Sequence, residues 1–240
     1  MASLIFTLRL TALEVDCQAC NYCIGQPDLL EELTARVAQH LVAGRTAAQI
    51  AEIEGGTALI SSPIQEWANR HPGATRPVHG KLKYRGSHLP DNPLFSAFVA
   101  CVKVNGVCIG ADKLGHFFQQ GWEYYRIAVM DGRGDAMAER YGEWLEGSRP
   151  QAEFATDEDY FRRQRSGSRV GYGGFGRTLS GVISHADLAA NRAGLQFFKD
   201  IATGRFETMA SYFTPELCEE INRNAYTAEM RAIVEVNGRF

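Results

Sequence analysis

The stretch from residue 110 to residue 130 constrains the fold most, because its apolar residues recur at helical spacing. The apolar stripe consists of Leu114, Phe117, Phe118, Tyr125, Ala128 and Val129. At about 100° per residue, the opposite face carries a polar stripe. That stripe consists of Asp112, His116, Gln119, Glu123 and Arg126. We therefore predict a long amphipathic helix that ends near Met130.

The polar stripe of this helix has two interpretations. Two carboxylates and an imidazole on one rigid scaffold can perform acid–base chemistry or bind a metal ion. An amphipathic helix also needs a solvated polar face, on which Asp112 would be the N-cap or a partner of the helix dipole in the first turn. The helix taken alone leaves both interpretations open.

A second predicted helix, from Ser184 to about Gly204, favours a site. Ser184 with Asp187 three residues later is close to a capping box. Helical spacing places Asp187 and Asn191 on the apolar face, where an unpaired polar side chain is costly. The pair is therefore a hydrogen-bonded core anchor or part of a site, and the polar stripe of the first helix offers it partners.

Small residues predict that these two helices pack closely against each other. Gly115 and Gly121 lie in the first helix and Gly194 lies in the second, so the two backbones can approach. His185, beside the predicted cap, is a further candidate for contact with a ligand or metal ion.

Composition limits the architecture and the function class. The chain has 240 residues, 45% of them hydrophobic, which suffices for one large or two small domains. A net charge of −3 gives no basic face for nucleic acid. No apolar run approaches the roughly 18 residues that span a bilayer. The N-terminus has no positive region or clean cleavage site, so we predict no Sec signal peptide.

Six cysteines offer either metal ligands or disulfides, and three of them form the run Cys17-x-x-Cys20-x-x-Cys23. The ferredoxin run needs a fourth cysteine where this chain has Pro27. Zinc would need a fourth ligand from elsewhere. Because six is an even number, disulfides are the alternative, and we predict at least one.

The dipeptide Asn105-Gly106 predicts a β-hairpin with a two-residue turn. Such a turn pairs Lys103 with Cys108 and Cys101 with Gly110. Cys101 and Cys108 then lie diagonally on one face, which suits a disulfide between them poorly.

The predicted fold class is mainly α with a small antiparallel β part. A helical domain carries a β-hairpin, and a glycine-rich loop at residues 166–181 rims a cleft. Residues 1–60 would hold an N-terminal strand, the cysteine run and helices, and residues 61–240 the main helical domain with the site. A single domain stays an alternative. The proline-rich residues 61–93 are predicted to be an irregular connection.

Two short segments resemble known envelope proteins. The segment Asp112-Lys113-x-x-His116-Phe117 resembles a signature of VanZ-like proteins and of small bacterial envelope lipoproteins. In those lipoproteins a later Asp-Leu-x-x-Asn/Asp-x-x-Gly segment recurs, which residues 187–194 match. VanZ-like proteins are integral membrane proteins, and this chain departs from them in having no spanning segment. The arrangement is also similar to lysozyme-like domains of type VI secretion cell-wall effectors, which implies activity on peptidoglycan.

The leading functional hypothesis is a lysozyme-like hydrolase that cleaves peptidoglycan strands with paired carboxylates and no cofactor. Glu123 would be the general acid, because its aromatic neighbours can raise a carboxyl pKa. Asp187 or Asp112 would be the second carboxylate, oriented by His116. The expected substrate-binding residues are Asn191, Gln119, Ser184 and His185.

Two further hypotheses remain. In one, a metal-dependent hydrolase binds a divalent ion through Asp112, His116, His185 and Asp187. In the other, the chain is a non-catalytic envelope or immunity-type binding protein whose polar residues form a buried structural network. An envelope function implies a secreted or periplasm-acting protein, with an immunity or delivery protein as partner. A cytoplasmic location stays open.

Overall fold

The structure is a computed structural model that describes residues 23–56, 62–75, 83–84, 100–164 and 171–237. The predicted strand near residues 5–15 and two cysteines of the predicted run, Cys17 and Cys20, lie outside the described residues. Within those ranges the protein is mainly helical with small antiparallel sheets, as predicted.

The α-helices follow one another along the chain with short strands between them. The helices are α1 Leu30–Val42, α2 Ala47–Ile50, α3 Pro63–Arg70, α4 Ala111–Gly115, α5 Gly121–Tyr125, α6 Asp135–Glu146, α7 Glu158–Gln164, α8 His185–Thr203 and α9 Ala228–Val236. Short 3₁₀ helices span Gln151–Phe154, Met209–Tyr212 and Pro215–Leu217. The strands are β1 Cys101–Val104, β2 Val107–Gly110, β3 Val182–Ile183 and β4 Ala225–Tyr226.

One continuous helix, residues 111–130, passes through the middle of the protein, and we call it the central helix. It alternates α4 and α5 with π turns at His116–Gln120 and Arg126–Met130. The predicted extent is confirmed, whereas the π turns were not predicted. A π turn closes i→i+5 hydrogen bonds and therefore turns through less than 100° per residue. The residues after it thus lie on a different side of the helix from the one that α-helical spacing predicts.

The predicted helix caps are present at both ends of α8. Ser184 Oγ accepts a hydrogen bond from the Asp187 amide at 3.1 Å, and Gly204 ends the helix in the left-handed conformation. The prediction of an irregular connection at residues 61–93 is wrong for α3. That helix begins with Ser62 as N-cap and Pro63 in its first turn, which is a common helix start.

The hairpin has the predicted register, with Lys103 paired to Cys108 and Cys101 to Gly110. Asn105 and Gly106 both have positive φ, as a tight two-residue hairpin turn requires. Because β2 ends at Gly110 and α4 begins at the next residue, the hairpin fixes where the central helix starts.

A large aromatic core surrounds the central helix. Phe117 and Phe118 are fully buried against Phe197 of α8, with ring centroids 5.1 and 5.4 Å from it. Leu33 and Val37 of α1 belong to the same core. The described parts of the predicted 1–60 and 61–240 segments therefore share one hydrophobic cluster. None of the helices in the described ranges is long and apolar enough to cross a membrane.

Candidate functional site

Two glycines bring the central helix and α8 into backbone contact. A methyl group on Gly121 would lie 2.5 Å from Gly194 Cα, and one on Gly194 would collide with the Phe117 carbonyl oxygen. The predicted packing of these two helices is confirmed. Gly115 does not take part in it, because it faces Ser62 and Gln65 of α3 instead.

Close packing places His116 between two side chains of α8. His116 Nδ1 lies 3.1 Å from Asn191 Oδ1, and His116 Nε2 lies 3.4 Å from Asp187 Oδ2. Asn191 and Asp187 are buried, whereas the side chain of His116 keeps 19% of its surface exposed. The imidazole is therefore the part of this group that solvent or a ligand reaches.

Lys113 lies at the centre of the buried charges and has no exposed surface. Its Nζ donates hydrogen bonds to Asp112 Oδ2 at 2.9 Å and Glu219 Oε1 at 2.8 Å. It also forms an ion pair with Asp187 Oδ1 at 2.7 Å. Glu219 follows the last 3₁₀ helix, so Lys113 links three separate parts of the chain.

Crowding of carboxylates around one ammonium determines their proton affinities. Burial, together with repulsion from Asp187 and Glu219, raises the pKa of Asp112 from 3.8 to about 7 despite Lys113. Burial also opposes ionisation of Asp187, but His116 and Lys113 outweigh it and lower the pKa. The pKa of Glu219 is lowered because Lys113 and Lys83 outweigh its burial. Burial alone would lower the pKa of Lys113, yet the three carboxylates raise it well above its usual value.

The surroundings of His116 favour its neutral form and orient its ring. Burial lowers the pKa of its imidazole more than the nearby carboxylate raises it. A neutral ring that donates from Nδ1 to the Asn191 carbonyl oxygen keeps an unprotonated Nε2 facing Asp187 Oδ2. Tyr124, which is hydrogen-bonded to Asn191, helps to hold that amide in place. In that tautomer a lone pair of Nε2 faces one of Asp187 Oδ2, and a cation between them would be favoured; in the other tautomer Nε2 donates to Asp187 Oδ2 instead.

Glu146, the last residue of α6, supplies a third donor atom. Ligand atoms of His116, Glu146 and Asp187 all lie within 4.8 Å of one another. The glycine-rich segment closes over the end of α6, because Phe175 and Arg177 donate backbone hydrogen bonds to the Leu145 and Glu146 carbonyls. A methyl group on Gly176 would lie 2.5 Å from Glu146 Oε2, so only glycine lets the segment approach this closely.

Glu123 and Gln119 are not part of this group. They line a separate pocket of about 360 Å³ against α2, together with Phe118 and Trp122. Glu123 Oε2 forms an ion pair with Arg126 at 2.8 Å. The prediction that Glu123 shares a cleft with the other polar residues assumed an unbroken α-helix, and the π turn before it moved it to a different face.

Ser184 and His185 lie at the start of α8 and form contacts outside the three-residue group. Ser184 is fully buried and caps the helix at Asp187. His185 Nδ1 bonds to the Arg223 carbonyl oxygen at 2.8 Å and takes no part in the three-residue group. The structure thus brings together only two of the four residues predicted as metal ligands. His116 and Asp187 remain together, whereas Glu146 replaces His185 and Asp112, whose carboxylate is bonded to Lys113.

Three residues of the buried group were missed from sequence. Lys113 could have been found, because it stands inside the Asp-Lys-x-x-His-Phe segment. Glu146 had a weaker signal, since an acidic residue in the last turn of a helix is unfavourable for the helix dipole. Glu219 had none, because only tertiary structure brings it to a lysine 106 residues away in the chain.

Searches against family models, curated proteins and solved structures give no match to this chain. The geometry of the residues is accordingly the basis for the functional proposal.

Proposed function

We propose that this protein is a metal-dependent hydrolase of the bacterial cell envelope, with peptidoglycan as its substrate. The observation that carries the proposal is the convergence of His116, Glu146 and Asp187, whose donor atoms come from three helices and lie within 4.8 Å of one another. A divalent ion held there would polarise the bond to be cleaved and activate a water molecule at neutral pH.

Ligand geometry supports a small divalent ion at this position. Metal bonds of about 2.0–2.1 Å in a tetrahedral site place the ligand atoms about 3.3 Å apart. The distance of 3.4 Å between His116 Nε2 and Asp187 Oδ2 matches that spacing. One imidazole nitrogen with two carboxylates suits first-row ions such as Zn²⁺ and Mn²⁺.

The neighbours of the three ligands are those that metal sites commonly use. Ligating histidines usually donate a hydrogen bond from their second ring nitrogen to an oxygen acceptor, and His116 Nδ1 lies 3.1 Å from such an acceptor, Asn191 Oδ1. Ligating carboxylates are themselves held by other donors, as Asp187 is by Lys113. Both ligands are therefore fixed before any ion binds.

Disulfide bonds support a location outside the reducing cytoplasm. Cys23 is bonded to Cys108, and Cys101 and Cys218 are also disulfide-bonded. Such bonds persist mainly in oxidising compartments, including the periplasm and the cell exterior. The resemblance of residues 112–117 and 187–194 to envelope proteins implies the cell envelope alone. Peptidoglycan, and an immunity or delivery protein as partner, are what the architectural resemblance to type VI secretion cell-wall effectors implies.

A metal-free glycosidase is the second candidate, and the pKa of Asp112 favours it. A carboxyl group with a pKa of about 7 is matched to general acid catalysis at neutral pH. Asp187 would then be the ionised partner, and Glu123 has no part because it lines the other pocket.

The test combines metal analysis with digestion of isolated peptidoglycan. We expect one Zn²⁺ or Mn²⁺ per chain and release of soluble fragments that a chelator abolishes. His116→Ala and Glu146→Gln should each lose the ion and, with it, the turnover that the ion supports. The matched controls are His185→Ala and Glu123→Gln, which should bind the ion and digest peptidoglycan as the parent does.

Three outcomes would contradict the proposal. Digestion that resists the chelator and releases reducing sugar ends would favour the metal-free glycosidase. Absence of bound metal and of digestion would favour a non-catalytic protein with a structural polar network. Equal loss of metal in the His185→Ala control would mean that the ligand assignment is wrong.

A further inference from the structure

The buried ammonium of Lys113 is surrounded by three carboxylates. Its nitrogen is 2.7–2.9 Å from one oxygen each of Asp112, Asp187 and Glu219. An ammonium group has three N–H donors, and one carboxylate is available here for each of them. Because Lys113 has no exposed surface and all three sides are occupied, it is not available to bind substrate.

Asp187 joins this ammonium to the metal centre of the proposed function. Its Oδ1 contacts Lys113 Nζ at 2.7 Å, while its Oδ2 lies 3.4 Å from His116 Nε2. One carboxylate thus faces two cation positions. Hydrolases with two metal ions hold them about 3.5–4 Å apart and stabilise the attacking and leaving oxygens together.

We propose that Asp112, Asp187 and Glu219 form a second cation site beside the His116–Glu146–Asp187 centre, and that the Lys113 ammonium is its resident cation. Together with the metal centre of the proposed function, this means that the chain holds one divalent ion and supplies the second positive charge itself. Lys113 is a positioning residue, because it holds Asp187 in the orientation that presents Oδ2 to the ion.

Burial energetics explains why a cation must occupy this position. Each of the three carboxylates is at most 6% exposed, and ionised carboxylates so deeply buried are very costly without a compensating charge. Lys83 contributes a second, more peripheral charge to Glu219 at 3.3 Å, and Asn224 donates to the same oxygen at 3.2 Å. Neither replaces the ammonium, because Lys113 alone contacts all three carboxylates among the described side chains.

The experiment removes the ammonium and leaves the three carboxylates in place. Lys113→Ala empties the position of the side chain, and bound Mn²⁺ per chain is measured by elemental analysis after equilibration and gel filtration. We expect the count to rise from one ion in the parent to two in Lys113→Ala. Lys83→Ala is the matched control, because it removes a charge from Glu219 but leaves the central ammonium, and it should bind one ion.

Folding of the variant is a second measurement. Thermal melts of Lys113→Ala are recorded with increasing Mn²⁺ and, separately, with n-propylammonium, which replaces the missing part of the side chain. We expect both cations to raise the melting temperature of Lys113→Ala by several degrees more than that of the parent. A variant that stays unfolded at every concentration of both cations overturns the inference.

This inference rests on the proposed function only through the shared Asp187. The experiments therefore give different results when the second cation site is wrong and when the metal centre is wrong. If the parent binds one ion that depends on His116 and Lys113→Ala also binds one, only the second cation site is wrong. If the parent binds no ion, the metal centre is wrong. The response of Lys113→Ala to n-propylammonium then decides whether the three carboxylates form a cation site.

Discussion

At the scale of single residues, each polar side chain of the buried group is fixed by several partners. Asn191 bonds to both His116 and Tyr124, and Lys113 contacts three carboxylates. In a low-dielectric interior such networks hold a single geometry, because every unpaired alternative is costly. Removal of one partner should therefore affect the orientation of the next.

Asn191→Leu tests whether the amide serves the site or only the fold. The substitution removes the acceptor for His116 Nδ1, so the imidazole loses its fixed orientation. We expect affinity for Zn²⁺ to fall about 10–100-fold, as is common when such a partner is lost. Calorimetric titration measures the affinity, and Arg192→Leu, at the next and exposed position, is the control. Unchanged affinity in Asn191→Leu would make the amide purely structural.

Asp200 gives a pH dependence that is separate from the site. Burial would raise the pKa of this carboxyl group, but hydrogen bonds from Gln196, Tyr212 and Arg205 outweigh burial and lower the pKa below 3.8. A lowered pKa in the folded state means that the ionised group stabilises the protein above the pH at which the unfolded chain titrates. That stabilisation is lost as the pH falls through the folded pKa.

Asp200→Asn should therefore destabilise the protein at pH 7 by about 1–2 kcal/mol, since hydrogen bonds to a charged group are lost. The difference in melting temperature between the variant and the parent should stay constant well above pH 3.8 and shrink as the pH falls below that value. A difference that is independent of pH would mean that ionisation of Asp200 contributes nothing to stability.

At the scale of elements, the π turns and the glycines determine which residues meet. The π turn His116–Gln120 sends Glu123 to a different face from His116. π turns are rare in proteins as a whole, but those that occur are frequently found at functional sites. The position of this π turn beside the candidate metal centre agrees with that tendency. Gly121 and Gly194 then set the distance between the central helix and α8.

Gly194→Ala should separate these two helices. The added methyl group collides with backbone atoms of the central helix, which cannot yield as a flexible side chain does. Alanine favours a helix over glycine by about 1 kcal/mol, whereas overpacking costs about 1–3 kcal/mol and a collision with rigid backbone belongs at the upper end of that range. We therefore expect a net loss in the free energy of unfolding, together with weaker metal binding, because His116 and Asp187 are carried by the separated helices.

Chemical denaturation measures this loss, and Gly171→Ala is the matched control. A methyl group there meets no atom within 4 Å, so stability should change by less than about 0.5 kcal/mol. Equal effects of the two substitutions would contradict the role assigned to the helix contact.

At the scale of the whole molecule, a disulfide ties the start of the described chain to the hairpin that leads into the central helix. Cys23 and Cys108 are 85 residues apart in sequence, and their Cα atoms are 5.5 Å apart. Asp28 supports the same junction, because its carboxylate accepts hydrogen bonds from the amides of Asn105 and Gly106. The prediction of at least one disulfide is confirmed, and within the described ranges no cysteine is free.

Replacement of both Cys23 and Cys108 by alanine should lower the free energy of unfolding by about 2–4 kcal/mol, because the unfolded chain gains freedom over a long loop. Urea unfolding of the double variant and the parent, both without reductant, measures the difference. Alkylation of the denatured, unreduced parent should leave these two thiols unmodified. A loss of stability below about 1 kcal/mol would mean that Asp28 and the core already hold the junction.

The sequence by itself determined the elements that depend on neighbouring residues. Helical spacing predicted the central helix, Ser184 and Gly204 predicted the ends of α8, and Asn105-Gly106 predicted the hairpin register. These features could be read because capping, turn geometry and amphipathic spacing act over only a few residues. Polar residues on an apolar face further predicted that Asp187 and Asn191 would find partners in the polar stripe of the central helix.

Only the tertiary structure decided the composition of the candidate site. Glu146 and Glu219 reach it from distant parts of the chain, and no local pattern states which buried charge will pair with Lys113. Glu123 lies outside the candidate site because one π turn rotates the residues that follow it around the helix axis. A prediction that assumes 100° per residue does not include that rotation. Sequence periodicity describes single helices, whereas a buried charge is stabilised only by the partners that the whole fold brings within about 3 Å of it.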